Sequence, residues 1–313
     1  MIFAVYLPLV LPALAVPVVR WVAARLYPQW ASWLVLVSAL ILGVCSMTAL
    51  GLLMLAALSV MSLFARLGHW SPAEVRHLDA VHLPIDLAAS VLLLVFGVMT
   101  ISAGVRRIRA IVAAYRMASE CPDGSELMVL RDDRPLAHAL PGRPGRIVVS
   151  TTMLASLAPP ERRALLAHER AHLAEAHHLF VAVIDVLAAA NPLLRPLTGV
   201  IRYTTERWAD EVAASHVGDR SVVARAVGKA ALAAKALGDA AGFPGIALAA
   251  TAGPVPRRVA ALLVPAPTSR IPPMLMSLTG LCALIAFGLT TGSLVSSLDA
   301  ATDLHRVLEI AQH

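Results

Sequence analysis

The run His168-Glu169-Arg170-Ala171-His172 places two imidazoles four residues apart with a carboxylate beside the first. On a helix this spacing sets His168 and His172 one turn apart on one face, with Glu169 at its edge. Two such rings can bind one Zn²⁺, and the carboxylate can take a proton from water on the same metal, which is what a zinc-dependent peptidase requires. Given 11 His in 313 residues, random placement yields only about 0.01 such patterns in a chain of this composition. Pro159-Pro160-Glu161 upstream is a good helix start, because proline is tolerated in the first turn and the dipole favours a carboxylate there.

Two histidines leave a zinc site short of its third protein ligand, which a carboxylate from a later helix commonly supplies. Glu206 and Asp210 share a helical face at i and i+4. Glu206 can then reach the metal while Asp210 accepts from a ligand histidine and fixes its orientation. The plain alternative for such a pair is a solvated, charged helix face. The upstream histidine pair shifts the balance toward ligation. His177 and His178 could assist at a developing oxyanion, against the commoner outcome of a surface pair at a helix end.

The elements that must hold these residues are set by composition. The chain is 58% hydrophobic and 15% charged, with a mean hydropathy of +0.74, beyond what a soluble core needs. Apolar runs extend from Ile2 to about Val19, from about Ala31 to Phe64, from Leu87 to about Val105, and from Pro273 to about Leu298. Each is long enough to cross a bilayer, so four transmembrane helices are expected. The first is read as a retained span, since no basic segment precedes it as in a signal peptide. Cys45, Cys121 and Cys282 are far apart and suit neither a disulfide framework nor a metal cluster.

The formal charge of +6 rests almost wholly on arginine. Nucleic-acid binding is one source of such a balance, but arginine retention on the cytoplasmic side of a membrane explains it without any direct nucleic-acid contact. Arg20 and Arg25, the cluster Arg106 to Arg116, and Arg257, Arg258 and Arg270 all fall on one side of the expected spans. The positive-inside rule therefore puts the loop from about Arg106 to Ile271 in the cytosol, with both termini outside.

Three parts follow: a three-span region over 1–105, a cytosolic zinc-binding domain over 106–271, and a fourth span with a short tail over 272–313. The domain opens with three short strands, Leu127–Leu130, Leu136–Leu140 and Arg146–Ser150, separated by turn residues. The second could be an edge strand that pairs with an extended substrate. A short helix at Met153–Leu157 and the His168 helix come next. Leu179–Ala190 is too short to span and carries Asp185, so it is expected to be buried or to rest on the membrane. Helical spacing returns over Leu197–His216, Ser221–Leu237 and Arg257–Leu263.

The pairing of His-Glu-Arg-Ala-His with Glu206-Arg207-Trp208-Ala209-Asp210 resembles the HExxH…ExxxD membrane zinc peptidases, the group of HtpX, the CAAX prenyl proteases and the BlaR/MecR antirepressors. Three apolar runs before the motif, one after the domain, and Asn191-Pro192 between the two motifs are most similar to the BlaR/MecR branch. The resemblance implies a mainly α membrane protein with a zincin-like α+β metalloprotease domain between the third and fourth spans. It implies that His168, His172 and Glu206 ligate zinc, that Glu169 is the general base and that Asp210 supports the ligands. By the same resemblance the expected substrate is a cytosolic DNA-binding repressor of the BlaI kind, cleaved in a signalling response. An HtpX-like quality-control protease and a non-catalytic membrane receptor or scaffold are the alternatives.

There are two departures from the antirepressor pattern. Ala174-Glu175-Ala176-His177-His178 stands where a basic pair and an Asp are common, and no penicillin-binding sensor is expected after Leu298. For the topology, a cysteine placed at Ala311 is expected to react with an impermeant reagent in intact cells. Protection there, with labelling of the 106–271 loop, would overturn the four-span arrangement.

Overall fold

The computed structural model describes residues 5–59, 61, 83–119, 125–240 and 254–265, with isolated positions between 288 and 306. Helix α1 is Leu7–Ala23, α2 Pro28–Ser59 and α3 Leu83–Ser119. Strands β1 Leu127–Leu130, β2 Ala137–Leu140 and β3 Arg146–Ser150 follow. Then come α4 Thr151–Ala155, α5 Pro159–Ala174, α6 His177–Ala190, a 3-10 turn Pro192–Leu194, α7 Arg195–Val217, α8 Arg220–Ala240 and α9 Pro254–Leu263. Among the described residues the protein is mainly helical with one small sheet, as the patterning implies.

By length and composition α2 and α3 can cross a membrane, whereas α1 is a shorter apolar helix of 17 residues. The expected fourth span, Pro273–Leu298, lies outside the described residues apart from isolated positions. Helix α3 runs on through Arg106-Arg107-Ile108-Arg109, where the apolar run alone suggests an end. Arginine is a strong helix former, so the change of polarity marks an end to lipid contact rather than an end to the helix. Val91, Leu94, Val98 and Ile101 are exposed along its outer face, as a lipid-facing helix requires.

Helices α1 and α2 share a core with α6 and α7: Val19, Val35 and Leu42 pack with Ile184 and Leu187 of α6 and with Leu197, Ile201 and Trp208 of α7. Gly43 permits this closeness, because a Cβ there would meet Leu187 Cδ2 at 3.2 Å. Polar side chains pin the same junction. Pro12 inside α1 has no N–H for the carbonyl of Pro8. Ser46 Oγ of α2 donates to that carbonyl at 2.9 Å and in turn accepts from Asn191 Nδ2 at 2.9 Å. Asn191 Oδ1 also accepts from Leu193 N at 3.0 Å, starting the 3-10 turn. Ser32 Oγ of α2 donates to Thr204 Oγ1 of α7 at 2.8 Å.

The expected short helix Leu179–Ala190 is α6, and it is packed rather than free: Phe180, Ile184 and Leu187 are buried. Its Asp185 pairs with Arg107 of α3 and accepts from Arg202 Nη2 of α7 at 2.8 Å. One carboxylate thus ties α3 to α6 and α7. The sheet has the order β1-β3-β2, with β1 parallel and β2 antiparallel to β3, so β2 is an edge. Strand β3 is buried throughout.

Removing the Asn191 side chain leaves Ser46 and the Leu193 N–H short of a partner in a buried site. Asn191→Leu is expected to destabilise the protein by about 1–3 kcal/mol, read as a lower thermal midpoint in detergent. An unchanged midpoint would show that the junction does not depend on it.

Candidate metal centre

Helix α5 begins as its sequence dictates. Pro159 occupies the first turn, and Glu161 Oε2 accepts from the Ala158 N–H at 2.8 Å and from Lys229 Nζ at 2.8 Å. Its inner face buries Ala164, Leu165, Ala167, His168, Glu169 and Ala171. Helix α7 meets it with Ala209, Asp210 and Ala213, all 0% exposed. Alanines at the crossing let the two backbones approach closely enough for side chains one turn apart on each helix to converge.

They converge as the motif spacing requires. His168 Nε2 and His172 Nε2 lie 3.1 Å apart. Glu206 sets Oε2 at 3.5 Å from the first and Oε1 at 3.5 Å from the second. Tetrahedral zinc, with ligand bonds of about 2.0–2.1 Å, separates its donors by about 3.3 Å. The three side chains therefore fit the ion, and their chemistry, two imidazoles and one carboxylate, is that of an open zinc site.

Asp210 Oδ1 stands 3.1 Å from His168 Nδ1, off the line of a good hydrogen bond. Burial opposes charge on His168, but the Asp210 and Glu206 carboxylates outweigh it and raise its pKa to about 10 in the metal-free site. The neighbouring ring behaves oppositely: burial first, and then the positive His168, push His172 down to about 4. Burial pushes the Glu169 carboxyl up, the direction that suits a group exchanging protons near neutral pH. The backbone N–H of Ala139 on β2 favours the charged form of that carboxylate and so works against this rise.

Two residues take places in the site that sequence patterning does not give them. Arg258 of α9 donates through Nε to Asp210 Oδ2 at 2.8 Å and through Nη2 to Oδ1 at 2.7 Å, and its Nη1 lies 2.6 Å from Glu206 Oε2. Counted in the sequence as a membrane-orienting charge, it is only 9% exposed. It neutralises the buried Asp210, whose carboxyl would otherwise be driven up by desolvation and is instead held low by Arg258 and His168. His177, expected at the surface, is 2% exposed, with Nδ1 at 2.9 Å from His172 Nδ1. His178 stays half-buried in the cleft wall.

A cleft of about 670 Å³ opens on the donor set. Its walls include Ala137, His138 and Ala139 of β2, Ile111 of α3 and Arg202 of α7. On the other side of His168, Glu169 and Glu206 is a smaller apolar cavity of about 250 Å³ with Met153, Leu165, Val223, Val227 and Val255. A chain laid through the cleft would have an exposed sheet edge along it and an apolar recess beside the donors.

The family model described as Peptidase family M48 matches residues 102–190. This stretch runs from the C-terminal part of the third apolar run through the sheet, the His168 helix and α6. It supports a membrane-associated metalloprotease of M48 type, a family whose members are zinc-dependent. It does not single out the BlaR/MecR branch, and an HtpX-like protease agrees with it equally well. No curated protein and no solved structure matches the chain.

The buried ion pair makes a quantitative expectation. Arg258→Leu leaves Asp210 charged and unpaired, which costs about 3–5 kcal/mol. The double variant Arg258→Leu/Asp210→Leu removes both charges and is expected to be more stable than Arg258→Leu alone in thermal unfolding. A double variant no better than the single would show that the two are not coupled.

Proposed function

We propose that the chain is a multi-pass membrane zinc endopeptidase whose metal is held by His168, His172 and Glu206, with Glu169 as general base and Asp210 orienting His168. The observation that carries this reading is the convergence of two imidazole nitrogens and one carboxylate at zinc spacing, with a buried second carboxylate beside them. Bound there, zinc would activate water and polarise the scissile carbonyl.

The chain's own residues account for the rest. Glu169, desolvated and steadied by the Ala139 N–H, takes the proton of the attacking water and returns it to the leaving amine. Strand β2, the edge strand that lines the cleft, receives an extended substrate by strand addition, while the recess behind the donors takes an apolar side chain. Arg258 keeps Glu206 and Asp210 charged in a buried setting, so both stay available as acceptors.

We further propose that this domain faces the cytosol, as the arginine asymmetry suggests, and that its substrate is a protein, a cytosolic DNA-binding repressor by the antirepressor resemblance. A second reading, quality control of membrane proteins, is favoured by one observation: Arg107, Ala110, Ile111 and Ala114 of the membrane helix α3 wall the cleft. Comparing cleaved proteins in cells with the wild-type chain and with Glu169→Ala separates the two, one giving a single soluble regulator and the other many membrane proteins.

Glu169→Gln is expected to retain zinc and to lose proteolysis by about 10²-fold or more. Full activity in that variant would remove Glu169 from the general-base role. Retained signalling by it without proteolysis would favour the scaffold.

A further inference from the structure

His172 turns Nε2 toward the donor set, 3.1 Å from His168 Nε2 and 3.5 Å from Glu206 Oε1. An imidazole that offers its Nε2 lone pair to a cation carries its proton on Nδ1. That proton points at His177 Nδ1, 2.9 Å away. Two nitrogens at this distance share one proton, so His177 must meet it with a bare Nδ1 and carry its own proton on Nε2.

We propose that His177 is the positioning residue for His172: a neutral acceptor that fixes the tautomer and ring plane of that ligand, where a carboxylate or a backbone carbonyl usually stands. The inference rests on the zinc-peptidase reading above. His172 and His177 meet edge to face, with centroids 4.9 Å apart and planes at 82°. His177 Nε2 is buried with no hydrogen-bond partner among the described residues, and its ring is packed against Trp208 at 4.7 Å and Phe180 at 6.3 Å. A buried N–H without a partner costs about 1–3 kcal/mol, which an apolar side chain in the same place would avoid. The chain also bends to make the contact. In an unbroken helix a residue five positions on lies about 140° around the axis, and it is Ala176, in the left-handed region at φ 49°, that ends α5 and swings α6 back. A neutral acceptor adds no further negative charge to a site that already holds Glu169, Glu206 and Asp210.

The test exploits the two ends of the ring. Asparagine at 177 puts its amide oxygen near the place of Nδ1, whereas glutamine reaches toward Nε2 instead. In full-length protein titrated with zinc against a chelator, His177→Asn is expected to stay within about threefold of wild type and His177→Gln to bind at least about tenfold more weakly, the range for partners of metal-ligating histidines. Equal affinity for wild type and both variants, or equal weakening of both with the same loss of thermal stability in the metal-free protein, would overturn the proposal. Nitrogen-15 spectra of histidine-labelled, metal-free wild type give a readout independent of loading. Protons on His172 Nδ1 and His177 Nε2 support the assignment, and the reverse tautomers sink it. If wild type takes up no zinc, the metal-centre reading falls and this inference falls with it.

Discussion

Asp210 has no exposed surface, and its charge is tolerable only because Arg258 grips both of its oxygens while His168 stands beside it. A buried carboxylate without such partners would take up a proton or unfold its surroundings. Three elements remote in sequence are thereby locked together: α5 through His168, α7 through Asp210 and Glu206, and α9 through Arg258. The donor set is as rigid as this charge network. Glu206 is fixed by its own helix turn below Asp210 and by the same guanidinium.

Around that network the fold supplies closeness and cover. Alanines at 209 and 213 let α7 lie on α5, and the Ala164, Ala167 and Ala213 cluster extends the same small-residue seam to α8. Apolar helices α1 and α2 close the far side of α6 and α7, so the candidate metal-binding face and these apolar helices share one interior. The Asp185 pairings with Arg107 and Arg202 put α3 at the cleft wall. The edge strand β2 adds a backbone donor to Glu169 and leaves the cleft floor bounded by main chain on one side.

Much of this was legible in residue order. The four-residue spacing of His168 and His172, the i, i+4 pair Glu206 and Asp210, and the turn residues between three short apolar segments each encode local geometry, and helices and strands obey local rules. Arg258 was not legible, because nothing in an amphipathic ten-residue helix tells which arginine turns inward to a charge 48 residues earlier. His177 reads in the sequence as an oxyanion helper or, more commonly, a surface residue; its burial against His172 depends on a left-handed alanine, which sequence patterning does not anticipate. The length of α3 was underestimated because hydropathy reports solvent, and a helix can leave lipid without ending.

The central claim is that one zinc ion is held by two imidazoles and one carboxylate supplied by α5 and α7. X-ray absorption at the zinc edge of the loaded, full-length protein tests it most directly. The account predicts a first shell of nitrogen and oxygen only, at about 2.0–2.1 Å, with the multiple-scattering pattern of two histidine rings. A shell containing sulfur, or one with a single imidazole or none, would contradict it.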